Sequence, residues 1–262
     1  AVADVDTFSG TPTATLSDAH TLAELKAINN KLSGTLTLND VTVALTGSAA
    51  DIKAALAGSF AAGYTGNVTI NDADTTGIAA TDITTIAGDT SGTVTVSNNI
   101  NITGTSAAIA TAVGNVDTFS GTPTATLGDA HTLAELKAIN NALSGTLTLN
   151  DVTVALSGST ADVKAALAGS FAAGYTGNVT LSDNHTLSEL KAINDATTGS
   201  ITLNSSAVAL SGTSLDVAAA LDGFTNYTGN VTLTDTHNLA QLKSINNATS
   251  GEITLNDYTV AL

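Results

Sequence analysis

The sequence predicts an α/β repeat solenoid in which short parallel strands and short flanking helices recur with a unit of about 54 residues, two half-units of about 27. Three observations lead there. Residues Val5–Thr69 match Val116–Thr180 at an offset of 111, differing only at Ser17/Gly128, Lys31/Ala142, Thr46/Ser157, Ala49/Thr160 and Ile52/Val163. Inside that period the segment Ser17-Asp-Ala-His-Thr-Leu-Ala-Glu-Leu returns at Gly128, at Ser182 and more loosely at Thr234. With a degenerate copy at Asn71, successive starts lie 54, 57, 54 and 52 residues apart. Finally, every helical or strand pattern in the unit is too short to persist alone in water, so each unit has to bury its apolar face against the next copy.

The array is read as a single domain over 1–262. It comprises a partial unit 1–16, a unit 17–70, a divergent unit 71–127, units 128–181 and 182–233, and a partial unit 234–262. The competing arrangement, a string of separate α/β modules of about 110 residues, is disfavoured because no linker-like shift in composition divides the chain.

The unit 128–181 shows how each element follows. Thr132-Leu-Ala-Glu135 has the capping-box spacing, in which the hydroxyl accepts from the backbone three residues on and the carboxylate reaches back. Thr21/Glu24 and Thr186/Glu189 repeat it, and Asn238/Gln241 is a weaker form. Leu133, Leu136, Ile139 and Leu143 then mark one face of a short helix. Gly145, like Gly34, Gly199 and Gly251, stands where a helix-ending glycine belongs. Thr146-Leu-Thr-Leu-Asn alternates as a half-buried strand, Asn150-Asp151 makes a corner, and Val152–Leu156 reads as a second strand. Ser159-Thr-Ala-Asp162 opens a second helix through Leu167, and Asn178-Val-Thr-Leu181 is a third strand. Strands separated by helices favour parallel pairing through right-handed crossovers.

Composition narrows the function. The 262 residues carry 23 acids against 7 lysines and no arginine, for a formal charge of −16. That excludes a nucleic-acid or other phosphate-binding surface as the main role. No run of 18 apolar residues is present to span a membrane. With no cysteine there is no disulfide framework, thiolate nucleophile or cysteine zinc site. There is no nucleophile elbow, phosphate-binding glycine loop or metalloprotease motif, and Ser, His and Asp occur only as recurring repeat positions. A non-enzymatic protein is expected.

Candidate sites therefore sit at repeated positions. His20, His131, His185 and His237 share one of them and read either as a metal ladder or as residues packed before each helix cap. Neighbouring copies two turns apart, about 10 Å at the spacing of paired strands, cannot share one zinc, which favours packing. Corner aspartates Asp40, Asp72, Asp151, Asp183, Asp235 and Asp257, with Asp18 and Asp129, offer oxygen to calcium, which takes six to eight such ligands. Their alternative role is turn chemistry. Asn39, Asn150, Asn204 and Asn256 follow a strand and are expected to stack as a structural ladder. Tyr64, Tyr175 and Tyr227 read as local packing or as a carbohydrate-stacking row. Lys26, Lys137, Lys191 and Lys243 share a helix position and read as a solvated stripe or as a contact with the acidic face of another protomer. Because the array starts and stops in mid-unit, its ends are expected to be covered either by continuation of the same repeat chain or by self-association, with Val260 and Leu262 as assembly residues.

The combination Asp-x-His-Thr-Leu-x-Glu-Leu-Lys-Ala-Ile-Asn, Gly-x-(Leu/Ile)-Thr-Leu-Asn, Val-Ala-Leu-Ser-Gly and Tyr-Thr-Gly-Asn-Val-Thr-Leu resembles the tandem repeats of very large exported proteins of cyanobacteria. Some of these coat the cell surface, and others carry haemolysin-type calcium-binding repeats. The likeness covers nearly the whole chain apart from the divergent stretch 71–116, and the Gly-Gly-x-Gly-x-Asp calcium repeat is absent here. The resemblance implies an extracellular or cell-surface structural protein, a spacer, layer or filament, with calcium as the one implied cofactor. An adhesin recognising glycans or calcium along the array is the second reading.

Overall fold

The structure, a computed structural model, describes residues 8–259. The chain divides into two compact units, Ala1–Gly128 with Ala142–Thr148 and Asp129–Asn141 with Leu149–Leu262. In chain order the described elements of the first are β1 (Ala14–Thr15), α1 (Leu22–Asn29), β2 (Leu36–Thr37), β3 (Leu45–Gly47), α2 (Ala49–Leu56), β4 (Val68–Ile70), β5 (Gly77–Ala79), α3 (Ala80–Asp89), β6 (Val94–Val96), β7 (Asn101–Gly104), α4 (Ser106–Gly114), β8 (Thr118–Phe119) and β9 (Thr124–Leu127). Helix α5 (Leu133–Ala142) falls almost wholly in the second unit and β10 (Leu147–Thr148) in the first. The second unit continues with β11 (Leu156–Gly158), α6 (Thr160–Leu167), β12 (Val179–Leu181), α7 (Leu187–Ala196), β13 (Ile201–Thr202), β14 (Leu210–Gly212), α8 (Ser214–Ala220), β15 (Val231–Leu233), α9 (Leu239–Ala248) and β16 (Ile253–Thr254).

Every pairing between these strands is parallel. In the first unit the sheets run β1-β2, β3-β4-β6-β8 and β5-β7-β9-β10. In the second they run β11-β12-β13 and β14-β15-β16, and none is closed. Partners stand 21 to 26 residues apart, as in Leu210↔Val231 and Val68↔Val94, while helices recur every 27 residues from Leu133 to Thr160, Leu187 and Ser214, the expected half-unit. Consecutive helices lie beside one another, α1 on α2, α2 on α3 and α3 on α4 in the first unit, and α6 on α7, α7 on α8 and α8 on α9 in the second. The divergent stretch keeps the same plan, with β5, α3, β6, β7 and α4 in sequence.

The strands bury alternate residues. Val179 and Leu181 point inward and Thr180 outward, and Val231-Thr-Leu233 does the same. Val231 and Leu233 meet helix residues such as Leu190, Val217 and Ile245 in one apolar cluster of the second unit. Ile52, Ile83, Ile86 and Ile109 fill the equivalent positions of the first.

Caps set the helix starts. Thr21 and Thr186 form complete capping boxes with Glu24 and Glu189, Asn238 does so with Gln241, and Thr132 and Glu135 exchange the same two bonds. Ser48, Ser159 and Thr213 cap α2, α6 and α8. Thr186→Ala removes one such hydroxyl, and about 1 kcal/mol of destabilisation is expected in urea unfolding. A matched change at exposed Thr180 is the control.

Two expectations are corrected. The second strand is not Val152–Leu156 but β11, starting at Leu156. Asp151 binds the amide and hydroxyl of Thr153, and the Val152 carbonyl is taken by the Thr176 amide, so 152–155 is a side-chain-held turn outside the ladder. The glycines Gly34, Gly145, Gly199 and Gly251 do not end helices in a left-handed conformation, since none has a positive φ. They lie against backbone of the preceding rung: a side chain on Gly199 would meet the Gly177 carbonyl group, and one on Gly145 that of Pro123.

Candidate functional site

The repeated histidines and tyrosines come together as joints. His131 stands just before the Thr132 cap, so the start of α5 fixes its ring. Its Nε2 lies 3.1 Å from the hydroxyl of Tyr175, 44 residues on. That hydroxyl donates to the carbonyl of Val154 at 2.6 Å. His185 and Tyr227 repeat the pair at 3.0 Å, with Tyr227 donating to Val208 at 2.6 Å. His20 and Tyr64 repeat it in the first unit at 3.2 Å, with Tyr64 donating to Val43. Ring centroids stand 5.8, 5.8 and 5.9 Å apart in the three pairs, and Phe60, Phe171 and Phe224 each pack on their tyrosine.

Burial governs the electrostatics of these joints. The tyrosines are 1–3% exposed, so they are packing residues and present no stacking face to a sugar. Burial pushes Tyr64 and Tyr227 up to about 12 and Tyr175 further up, so all three stay protonated. Burial likewise holds His20, His131 and His185 below the ordinary histidine value. Carboxylates oppose it: Asp40 and Glu24 at His20, Asp151, Glu135 and Asp129 at His131, and Glu189 at His185.

The six aspartates singled out for calcium fall into two sets. Asp40, Asp151 and Asp257 each accept from the amide and hydroxyl of the threonine two residues on, at 2.6–2.8 Å. Those bonds draw their carboxyls below the usual range. Asp72, Asp183 and Asp235 instead reach across to the first residues of α2, α6 and α8, accepting from the amides of Ala49, Thr160 and Ser214 at 2.7 Å. They are second caps for helices begun 21–23 residues earlier. Among the described residues no group of three or more His, Asp or Glu side chains gathers to hold a metal ion.

The remaining candidates are also placed. Asn39, Asn150, Asn204 and Asn256 are exposed at the corners and do not form the expected ladder; Asn204 meets Asn184 at 3.4 Å. The asparagines that link rungs are others. Asn67, Asn178 and Asn230 accept from the amides of Thr93, Ser200 and Glu252 at 3.0 Å. Asn29, Asn140 and Asn194, at the ends of their helices, donate to the carbonyls of Ala55, Ala166 and Ala219 near the end of the next helix in their unit. Their recurrence in Lys-Ala-Ile-Asn was the available signal. Lys26 and Lys137 pair with Asp51 and Asp162 on the neighbouring helix, and Lys191 with Asp195 on its own. With side chains 32–52% exposed, such pairs contribute little. Val260 and Leu262 lie outside the described residues.

A groove of about 800 Å³ is lined by Asn194, Asp195, Leu215, Asp222 and Phe224 among others, with no histidine in its wall. No described helix is long and apolar enough to cross a membrane. No protein-family profile, curated protein or solved structure matches the chain.

Proposed function

We propose that the chain is a non-enzymatic spacer of an exported surface structure, built as one solenoid whose repeats brace one another. The observation that carries this reading is the His–Tyr–carbonyl joint, repeated three times with the same kinds of partner. The most chemically able side chains of the repeat are engaged in joining segments 42–44 residues apart. The parallel step of 21 to 26 residues, the cross-rung caps from Asp72, Asp183 and Asp235, and the likeness to repeats of giant exported cyanobacterial proteins support the same reading. An acidic surface keeps such a chain soluble through self-repulsion.

The test is to lengthen the chain by inserting whole 111-residue periods and to follow it by small-angle scattering. A solenoid keeps its cross-section and grows by about 20 Å per period, four rungs at 4.7–4.9 Å each. A string of modules adds a body of about 13 Å radius of gyration each time, with slack between bodies, and that result overturns the reading. Negative-stain micrographs of the same samples separate a monomeric spacer, seen as isolated rods, from a filament or layer former.

A further inference from the structure

In each joint the tyrosine hydroxyl has one proton, and it goes to a backbone carbonyl: Val43, Val154 or Val208. The histidine Nε2 facing that oxygen therefore donates and carries the ring's N–H. A neutral imidazole has only one N–H, so Nδ1 is a bare acceptor. In His20, His131 and His185 that Nδ1 is buried with no hydrogen-bond partner, and the Nδ1 of His237 is buried in the same way. The geometry thus fixes one tautomer and leaves one protonation site sealed inside each joint.

We propose that these histidines are an acid-operated release: a proton taken up at Nδ1 loosens the seams between successive copies. Protonation places a charged N–H where no acceptor stands, and a buried orphan donor is costly. The charged groups facing the rings are Asp40 and Glu24 at His20, Asp151, Glu135 and Asp129 at His131, and Glu189 at His185. All of them favour the imidazolium, and the partner tyrosines stay neutral. Burial outweighs these carboxylates, so folded His20, His131 and His185 titrate below the ordinary 6.5.

The sign follows by linkage. The unfolded chain binds more protons between the lowered folded values and 6.5. Stability from the joints is therefore full above pH 6.5 and is lost as pH falls below it. The hydrogen-bonded carboxyls, lowered from values near 4, act only in stronger acid. Asp89, raised by burial, acts in the opposite sense and belongs to the first unit.

The experiment is urea unfolding of the full chain from pH 8 to pH 5, with ¹⁵N spectra of the histidine rings. The unfolding constant is expected to rise by up to about tenfold per pH unit for each histidine released, setting in below pH 6.5. The double variant His131→Gln, His185→Gln is expected to flatten that rise for the second unit. Where the variant does not fold, the spectra of the unaltered chain decide. An unprotonated Nδ1 and a protonated Nε2 at pH 7, titrating below 6.5, sustain the proposal. A protonated Nδ1 at neutral pH, or an unfolding constant level from pH 8 to 5, overturns it.

Discussion

Tyr175→Phe is expected to destabilise the second unit by about 2–6 kcal/mol, because one oxygen serves a buried histidine and a partly buried carbonyl. Its loss orphans the Val154 carbonyl and the His131 Nε2–H together, while the ring keeps its contact with Phe171. Each orphaned group costs roughly 1–3 kcal/mol, so the sum is large for a change of a single atom. Tyr258, 74% exposed, provides the control. Tyr258→Phe is expected to stay within about 0.5 kcal/mol of the unaltered chain. Equal urea midpoints for the two variants would remove the joint from the account of stability.

Gly199→Ala is expected to cost about 3 kcal/mol or more, at the upper end of overpacking effects. The added carbon would overlap the carbonyl group of Gly177 and stand 2.7 Å from the Thr176 oxygen. Both are backbone atoms of the neighbouring rung, which Thr197 already holds through a 2.9 Å bond to the Gly177 carbonyl. Gly174→Ala meets nothing within 4 Å at an ordinary backbone angle and is expected to be neutral or stabilising by about 0.4–1 kcal/mol through the unfolded chain. The contrast tests close approach against a general intolerance of glycine replacement, and similar losses at both positions would contradict the packing described.

The parts of this structure that were legible in the sequence are those governed by local chemistry. Helices after Thr21, Thr132, Thr186 and Asn238 follow from a cap and a 3.6-residue apolar period, and each begins where that pattern places it. The corner at Asp151 follows from the readiness of aspartate to bond its own backbone. The same chemistry extends further than the hydrophobic pattern suggests, which is why Val152–Leu156 yields only its last residue to β11. Long-range roles were not legible. Nothing near Asp183 indicates that its carboxylate caps a helix begun 23 residues earlier, because that depends on how distant segments pack. The histidines announce a common role by recurring at one position, yet their partner is a tyrosine 42–44 residues away. The glycines were visible but misattributed: at Gly199 local rules suggest a helix end, and the backbone passing beneath it is a tertiary fact.

The joints also have a direction. His131 waits for Tyr175, and α6 waits for Asp183; in each case the completing group comes later in the chain. During synthesis, therefore, His131 lacks its tyrosine until 44 more residues have followed it, and His185 until 42 have. Completion of these joints and caps therefore runs from the first residues onward, each later segment supplying the group that an earlier one lacks.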